Sequence, residues 1–161
     1  VTLTAEGNAY SDFTGWSAPC SGSSRTCLVT MDEGTLVTAT FTARYIGAAV
    51  FARWLVEGRR TTVQRLVAGD VPRNASVVVV CDGDGCAFSR RTAKQPGTVD
   101  ETVGLKALFE GRALRPGTVI EIRITAPDSI GKLLRFTTRR AQLPRREVLC
   151  LPPGVREPKA C

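Results

Sequence analysis

The chain has 161 residues, of which 43% are hydrophobic, with a net charge of +7 and no histidine. That hydrophobic share is enough for a packed core and excludes a disordered tail. Without histidine the chain lacks the commonest general base and a principal zinc ligand, which sets aside most hydrolase, nuclease and zinc chemistry.

The six cysteines fall into three close pairs: Cys20 with Cys27, Cys81 with Cys86, and Cys150 with Cys161. An even count with local pairing reads as three short-range disulfides, and so as an extracellular or cell-surface chain. Other pairings of the six stay open at this level. Charge is spread unevenly: residues 1–45 carry Arg25 and Arg44 against Glu6, Asp12, Asp32 and Glu33, while the other 20 basic and 11 acidic residues lie beyond. This asymmetry predicts two units, residues 1–44 and 45–161. No stretch approaches the roughly 20 apolar residues of a membrane span, so no membrane insertion is expected. With no leader ahead of Val1, the chain is expected to be a segment of a longer exported protein.

In chain order, Val1-Thr2-Leu3-Thr4-Ala5 alternates as a strand does. Phe13 and Trp16 bring two aromatics toward a small core. Cys20 and Cys27 enclose a polar hairpin tip, and strands are expected at 28–31 and 36–41 around an Asp32-Glu33-Gly34 turn. So short a segment cannot build a stable core unaided, which gives its disulfide weight.

These elements carry a resemblance. The strings VTLTA, FTGW, CSGSSRTC, LVTM and VTATF occur in one order. They resemble the second half of the divergent internalin-type B-repeat of bacterial surface proteins. The resemblance implies a partial β-grasp-like module with no catalytic residues, and the first half of the repeat has no counterpart here.

Residues 42–49 read as a short, semi-rigid junction. Beyond it, Trp54-Leu55-Val56 and 61–68 are expected strands about a Glu57-Gly58-Arg59-Arg60 turn. Gly69-Asp70-Val71-Pro72 should turn the chain into the apolar run Val77-Val78-Val79-Val80-Cys81, which suits a central sandwich strand. Residues 89–102 read as a polar loop, and 105–109 fit one helical turn. Ile120, Ile122 and Ile124 face one way and Glu121 and Arg123 the other, so 119–124 is a strand; 133–138 is a further one. Short strands with turns at regular spacing predict an all-β fold, the second unit being a β-sandwich. The Leu114-Arg115-Pro116-Gly117-Thr118 string is similar to the corner of fibronectin type III domains, though Ile120 stands where their tyrosine usually is. The Pro72–Cys81 strand, the Cys81–Cys86 loop, that corner, Ile130-Gly131-Lys132 and Cys150-Leu151-Pro152-Pro153-Gly154 resemble a domain of secreted actinobacterial proteins. That resemblance implies a location and no mechanism.

Candidate chemistry is thin. Cys81-Asp82-Gly83-Asp84-Gly85-Cys86 is longer than a redox C-x-x-C and lacks the twelfth-position glutamate of a calcium loop, so it reads as a disulfide-clamped turn. The carboxylates show no sequence-marked pair, and G-x-S-x-G is absent. No enzyme activity, metal or cofactor is therefore expected, and the six cysteines are expected to be structural. Asn74-Ala75-Ser76 is a formal glycosylation sequon that reads as a turn. Trp16 and Trp54 are candidate sugar-stacking platforms. The doublets Arg59-Arg60, Arg90-Arg91 and Arg139-Arg140 are candidate contacts to a cell-wall or extracellular glycan or another polyanion. Dispersed doublets without interleaved aromatics argue against nucleic acid. The expected function is a non-catalytic structural or adhesion module. The alternatives are a glycan- or polyanion-binding module and a filament subunit joining copies of itself through strand edges.

Overall fold

The computed structural model describes residues 1–31, 34–94, 97, 101–155 and 157–161. Among these the chain forms twelve strands and a single 3-10 turn, and it divides into two compact units, Val1–Arg44 and Tyr45–Cys161. The fold is all-β.

In the first unit β1 (Thr2–Thr4) pairs with β3 (Thr26–Leu28), and β2 (Ser11–Trp16) pairs with β4 (Ala39–Ala43). The two ribbons interleave in sequence. The loop closed by Cys20 and Cys27 therefore joins strands of different ribbons and is not the hairpin tip expected: the register sets Cys27 opposite Leu3 of β1. Residues 29–31 and 36–38 are not strands. Val29 is instead held by backbone exchange with Val1: the Val1 nitrogen donates to the Val29 carbonyl at 2.7 Å, and the Val29 N–H donates to the Val1 carbonyl at 2.8 Å. Asp32 and Glu33 of the expected turn lie outside the described residues. Phe13 packs on Trp16 and Phe41, with ring centroids 5.1 and 5.6 Å apart. Among the described residues of this unit, the buried hydrophobic ones are Ala5, Cys20 and Val29, while Leu28, Met31 and Leu36 stay exposed.

The second unit is a sandwich. One sheet has the order β5 (Ala49–Glu57), β6 (Arg60–Val71), β9 (Glu101–Gly104). The other runs β12 (Gln142–Leu151), β11 (Ser129–Arg139), β10 (Val119–Ala126), β7 (Ser76–Asp82), β8 (Arg90–Lys94), all antiparallel. Alternation along β10 buries Ile120, Ile122 and Ile124 among Val77 and Val79 of β7, Leu134 and Phe136 of β11, and Leu66 and Ala68 of β6. β7 is a central strand, as its apolar run predicts. The helical turn expected near 105–109 is the 3-10 turn Lys106–Phe109.

Several elements differ from expectation for physical reasons. β6 continues through Gly69 to Val71, with Asp70 at φ 53° at a bulge against β9; the turn falls later, where the Ala75 N–H donates to the Pro72 carbonyl at 2.9 Å. The expected polar loop 89–102 contains the edge strand β8 and the start of the edge strand β9, which bury only one face and so carry few apolar residues. Lys94, at the end of β8, is buried, and its ammonium donates to the carbonyls of Pro72, Arg73 and Ala75 at 3.3, 3.1 and 3.0 Å. β12 gave no sequence signal either, being another edge strand with arginines at its centre. Of the expected junction, Ile46 and Ala48 belong to the sandwich core, and the Ile46 N–H donates to Ile130 at 3.1 Å.

Candidate anion-binding surface at the hairpin tips

β5 and β6 are joined by a two-residue turn, Gly58-Arg59, in which Gly58 takes φ 60°. Positive φ at the first turn position fits the twist of a tight hairpin and favours glycine there. β11 and β12 are joined by Arg140-Ala141, with Arg139 opposite Gln142 and Ala141 at φ 53°. An alanine in the left-handed region is held there by its surroundings: its N–H donates to the Gly58 carbonyl of the other turn at 2.6 Å. That bond ties the two tips, one from each sheet. It brings Arg59 and Arg60 to the same end of the sandwich as Arg139 and Arg140, all four exposed.

The corner before β10 adds to this end. Thr61 and Leu114 exchange backbone bonds at 3.0 and 2.9 Å, and the Thr138 hydroxyl donates to the Arg115 carbonyl at 2.5 Å. These bonds set the loop bearing Arg112 and Arg115 beside the tips. A groove of about 350 Å3 is lined here by Arg60, Lys106 and Arg112, with Glu110 as its acidic member. Among the described residues, Arg59, Arg60, Arg112, Arg115 and Arg140 enter no ion pair; Arg139 donates to the Leu143 carbonyl at 3.0 and 2.8 Å. These clustered arginines give this end an excess of positive charge, with Glu57 opposite Arg60 as a nearby carboxylate.

The disulfide loop supports the same corner. Cys81 and Cys86 are bonded, and the Asp84 carbonyl accepts from the Arg115 N–H at 3.0 Å and the Thr118 hydroxyl at 2.8 Å. Gly85 sits so close that a side chain there would meet the Ala113 carbonyl at 2.5 Å. The glycines of this loop thus serve close approach to the corner. Among the described residues no three metal-ligating side chains come together.

The remaining candidates are placed elsewhere. Arg90 and Arg91 lie on β8, opposite Val80 and Val79, so strand alternation sends them to opposite faces. Arg90 reaches a groove of about 510 Å3 under the Pro152–Val155 tail; Arg123, in the same groove, is already paired with Glu121 at 2.5 Å. Trp16 is half-buried, and its indole N–H donates to the Ser24 carbonyl at 2.8 Å, bracing the Cys20–Cys27 loop. Trp54 is half-buried on Phe136, with centroids 5.2 Å apart. Asn74 of the sequon donates to Asp128 at 2.9 Å. Ser129-Ile130-Gly131-Lys132 has the S-x-x-K spacing of some serine enzymes, which sequence reasoning missed. It lies on β11, where a bulge against β10 falls between the two residues; the Lys132 ammonium donates to the Ala48 carbonyl at 2.8 Å, and the Ser129 hydroxyl donates to Asp128 at 3.4 Å. Cys150 and Cys161 are bonded, and Cys150 also exchanges backbone bonds with Lys159 at 2.8 and 2.9 Å, securing the tail.

Glu121 is the most strongly held carboxylate. It sits nearly buried on the outer face of the five-stranded sheet between Arg123 and Arg135, each guanidinium donating twice, at 2.5–2.9 Å. Burial pushes its carboxyl up, but the hydrogen bonds and charges of the two arginines outweigh burial and hold it below its ordinary value.

All-β architecture, local disulfides and a repeat-like first unit define the class of a disulfide-stapled β module. Residues 1–44 match the family model described as Divergent InlB B-repeat domain. Comparison with curated proteins and with solved structures returned no match.

Proposed function

We propose that the chain is a non-catalytic, extracellular structural or adhesion module of a bacterial surface or secreted protein. The observation that carries this reading is that its chemically promising motifs are spent on holding the fold. All six cysteines are bonded within their own units. The Asp84 carbonyl braces the corner, and Lys132 and Trp16 donate to backbone carbonyls. The repeat match on residues 1–44 supports a surface setting, and three disulfides fit an oxidising compartment. An immunoglobulin- or fibronectin-III-like reading of the second unit draws support from its three-plus-five sheet order and from the corner that opens β10. The docking of the Cys81–Cys86 loop on that corner is in keeping with the resemblance to secreted actinobacterial domains. Labelling intact producing cells with a membrane-impermeant amine reagent tests the setting. Labelling before lysis, with no free thiol, is the expected result; labelling only after lysis overturns it.

The bond between Ala141 and Gly58 favours a second reading, in which the joined tips bind a polyanion of the cell envelope. Retention on immobilised heparin at low salt and release at high salt is expected, since exposed charges are screened within about 3 Å at 1 M. Reversing Arg59, Arg60, Arg139 and Arg140 to glutamate should lower the salt concentration needed for release without unfolding the protein. Absence of retention at low salt contradicts this reading.

A further inference from the structure

We propose a separate binding site on the outer face of the three-stranded sheet, centred on Arg53 and Arg65, for the carboxylate of an acidic sugar residue. The proposal does not rest on the hairpin-tip reading. Arg53 of β5 stands directly opposite Arg65 of β6, and both are exposed. Like charges facing each other across a strand pair are destabilising, typically with Cβ atoms about 5 Å apart. Nothing relieves this one: among the described residues neither guanidinium has an ion-pair or hydrogen-bond partner. The carboxylate on the same face of β5, Glu57, lies at the far end of the strand, opposite Arg60.

The local backbone concentrates donors at this point. The register slips between Arg53 and Trp54, so that Gln64 is an extra residue on β6. A bulge re-aims side chains, and both Gln64 and Arg65 are exposed. The Gln64 amide makes only a long bond, 3.4 Å to the Thr62 hydroxyl. Two guanidinium forks and a carboxamide thus border a depression of about 590 Å3 lined by Arg53, Trp54, Leu55, Gln64 and Arg65. Leu55, 45% exposed, lines it, and Phe51, 56% exposed, stands two residues before Arg53 on the same face of β5.

Paired forks match a carboxylate in two-point fashion. An exposed phenyl ring and a leucine beside them offer an apolar surface to the C–H face of a pyranose. A peptide is a poorer fit, because peptides bind sheets by adding a strand at an edge, whereas these donors stand on a face. The occupant is therefore an acidic glycan carrying uronic-acid-type residues.

The test is calorimetric titration of the whole chain with tetragalacturonate and with a neutral galactose tetramer near 0.15 M salt, where dispersed charge is screened beyond about 8 Å. The acidic tetramer should bind and the neutral one should not. Arg53→Glu should weaken binding about tenfold or more, yet raise the thermal midpoint by about 2–5 °C, because it turns a like-charge pair into an opposite one. Arg65→Glu should reproduce both effects, and reversal of the hairpin-tip arginines should leave tetragalacturonate binding intact. The proposal is overturned by a wild-type chain that ignores tetragalacturonate, or by binding that survives Arg53→Glu. A midpoint that falls with binding in both variants, or preference for a single-stranded oligonucleotide, overturns it as well.

Discussion

The two units reach stability by different routes. The sandwich buries a continuous core drawn from both its sheets, with Leu66, Leu114, Ile120, Ile122, Ile124 and Leu134 fully withdrawn from solvent. Among its described residues the first unit has three buried hydrophobic ones and an aromatic trio on one ribbon, and it leaves Leu28, Met31 and Leu36 exposed. For a short segment with so little core, a cross-link is worth a larger share of the total. A loop the size of that between Cys20 and Cys27 corresponds to about 2.5 kcal/mol by the chain-entropy estimate. In the sandwich a similar contribution adds to a core that already holds. Disulfides of like size therefore do unlike jobs: one maintains a unit, the others trim a loop and a tail.

This contrast can be broken or sharpened by substitution. Ile122→Ala should have the largest effect on the sandwich, about 2–5 kcal/mol, because it opens a cavity in the middle of β10. Denaturant unfolding followed by Trp54 fluorescence in a Trp16→Phe background reads it; a cost near zero would mean that the core is not what holds this unit. Gly85→Ala should cost about 1–3 kcal/mol, since Gly85 has φ 97° and a new side chain would strike the Ala113 carbonyl. A neutral result would remove the corner-bracing role of the Cys81–Cys86 loop. Glu121→Gln should act mainly on the acid limb. The folded carboxyl is held below its ordinary value of 4.5, so the Glu121 contribution is fully present above that value and is lost as pH falls through the lower folded value. The variant should be less stable at neutral pH and should lose less on acidification; parallel acid limbs would contradict this.

The fold was legible where burial writes a period into the chain. The alternation of Ile120, Ile122 and Ile124 and the apolar run 77–81 marked β10 and β7, because both lie inside the larger sheet. β8, β9 and β12 were not legible: edge strands with one solvated face hold arginines and threonines that read as loop. The interleaved pairing of the first unit was hidden too, because neighbours in sequence there are not neighbours in the ribbons. The same limit governs the surface sites. Arg59-Arg60 and Arg139-Arg140 stand out as doublets, but the bond that joins their turns is a tertiary contact. Arg53 and Arg65 are single residues in the sequence, and only the β5–β6 register makes them a pair.

The most direct test of the contrast uses the fact that each unit holds one tryptophan, Trp16 or Trp54. Thermal unfolding would be followed in Trp54→Phe, which reports the first unit, and in Trp16→Phe, which reports the second, with and without Cys20→Ser/Cys27→Ser. The account predicts that loss of this disulfide abolishes or sharply lowers the Trp16 transition and moves the Trp54 transition by only a few degrees. Equal shifts of both transitions, or a Trp16 transition that stays in place, would contradict it.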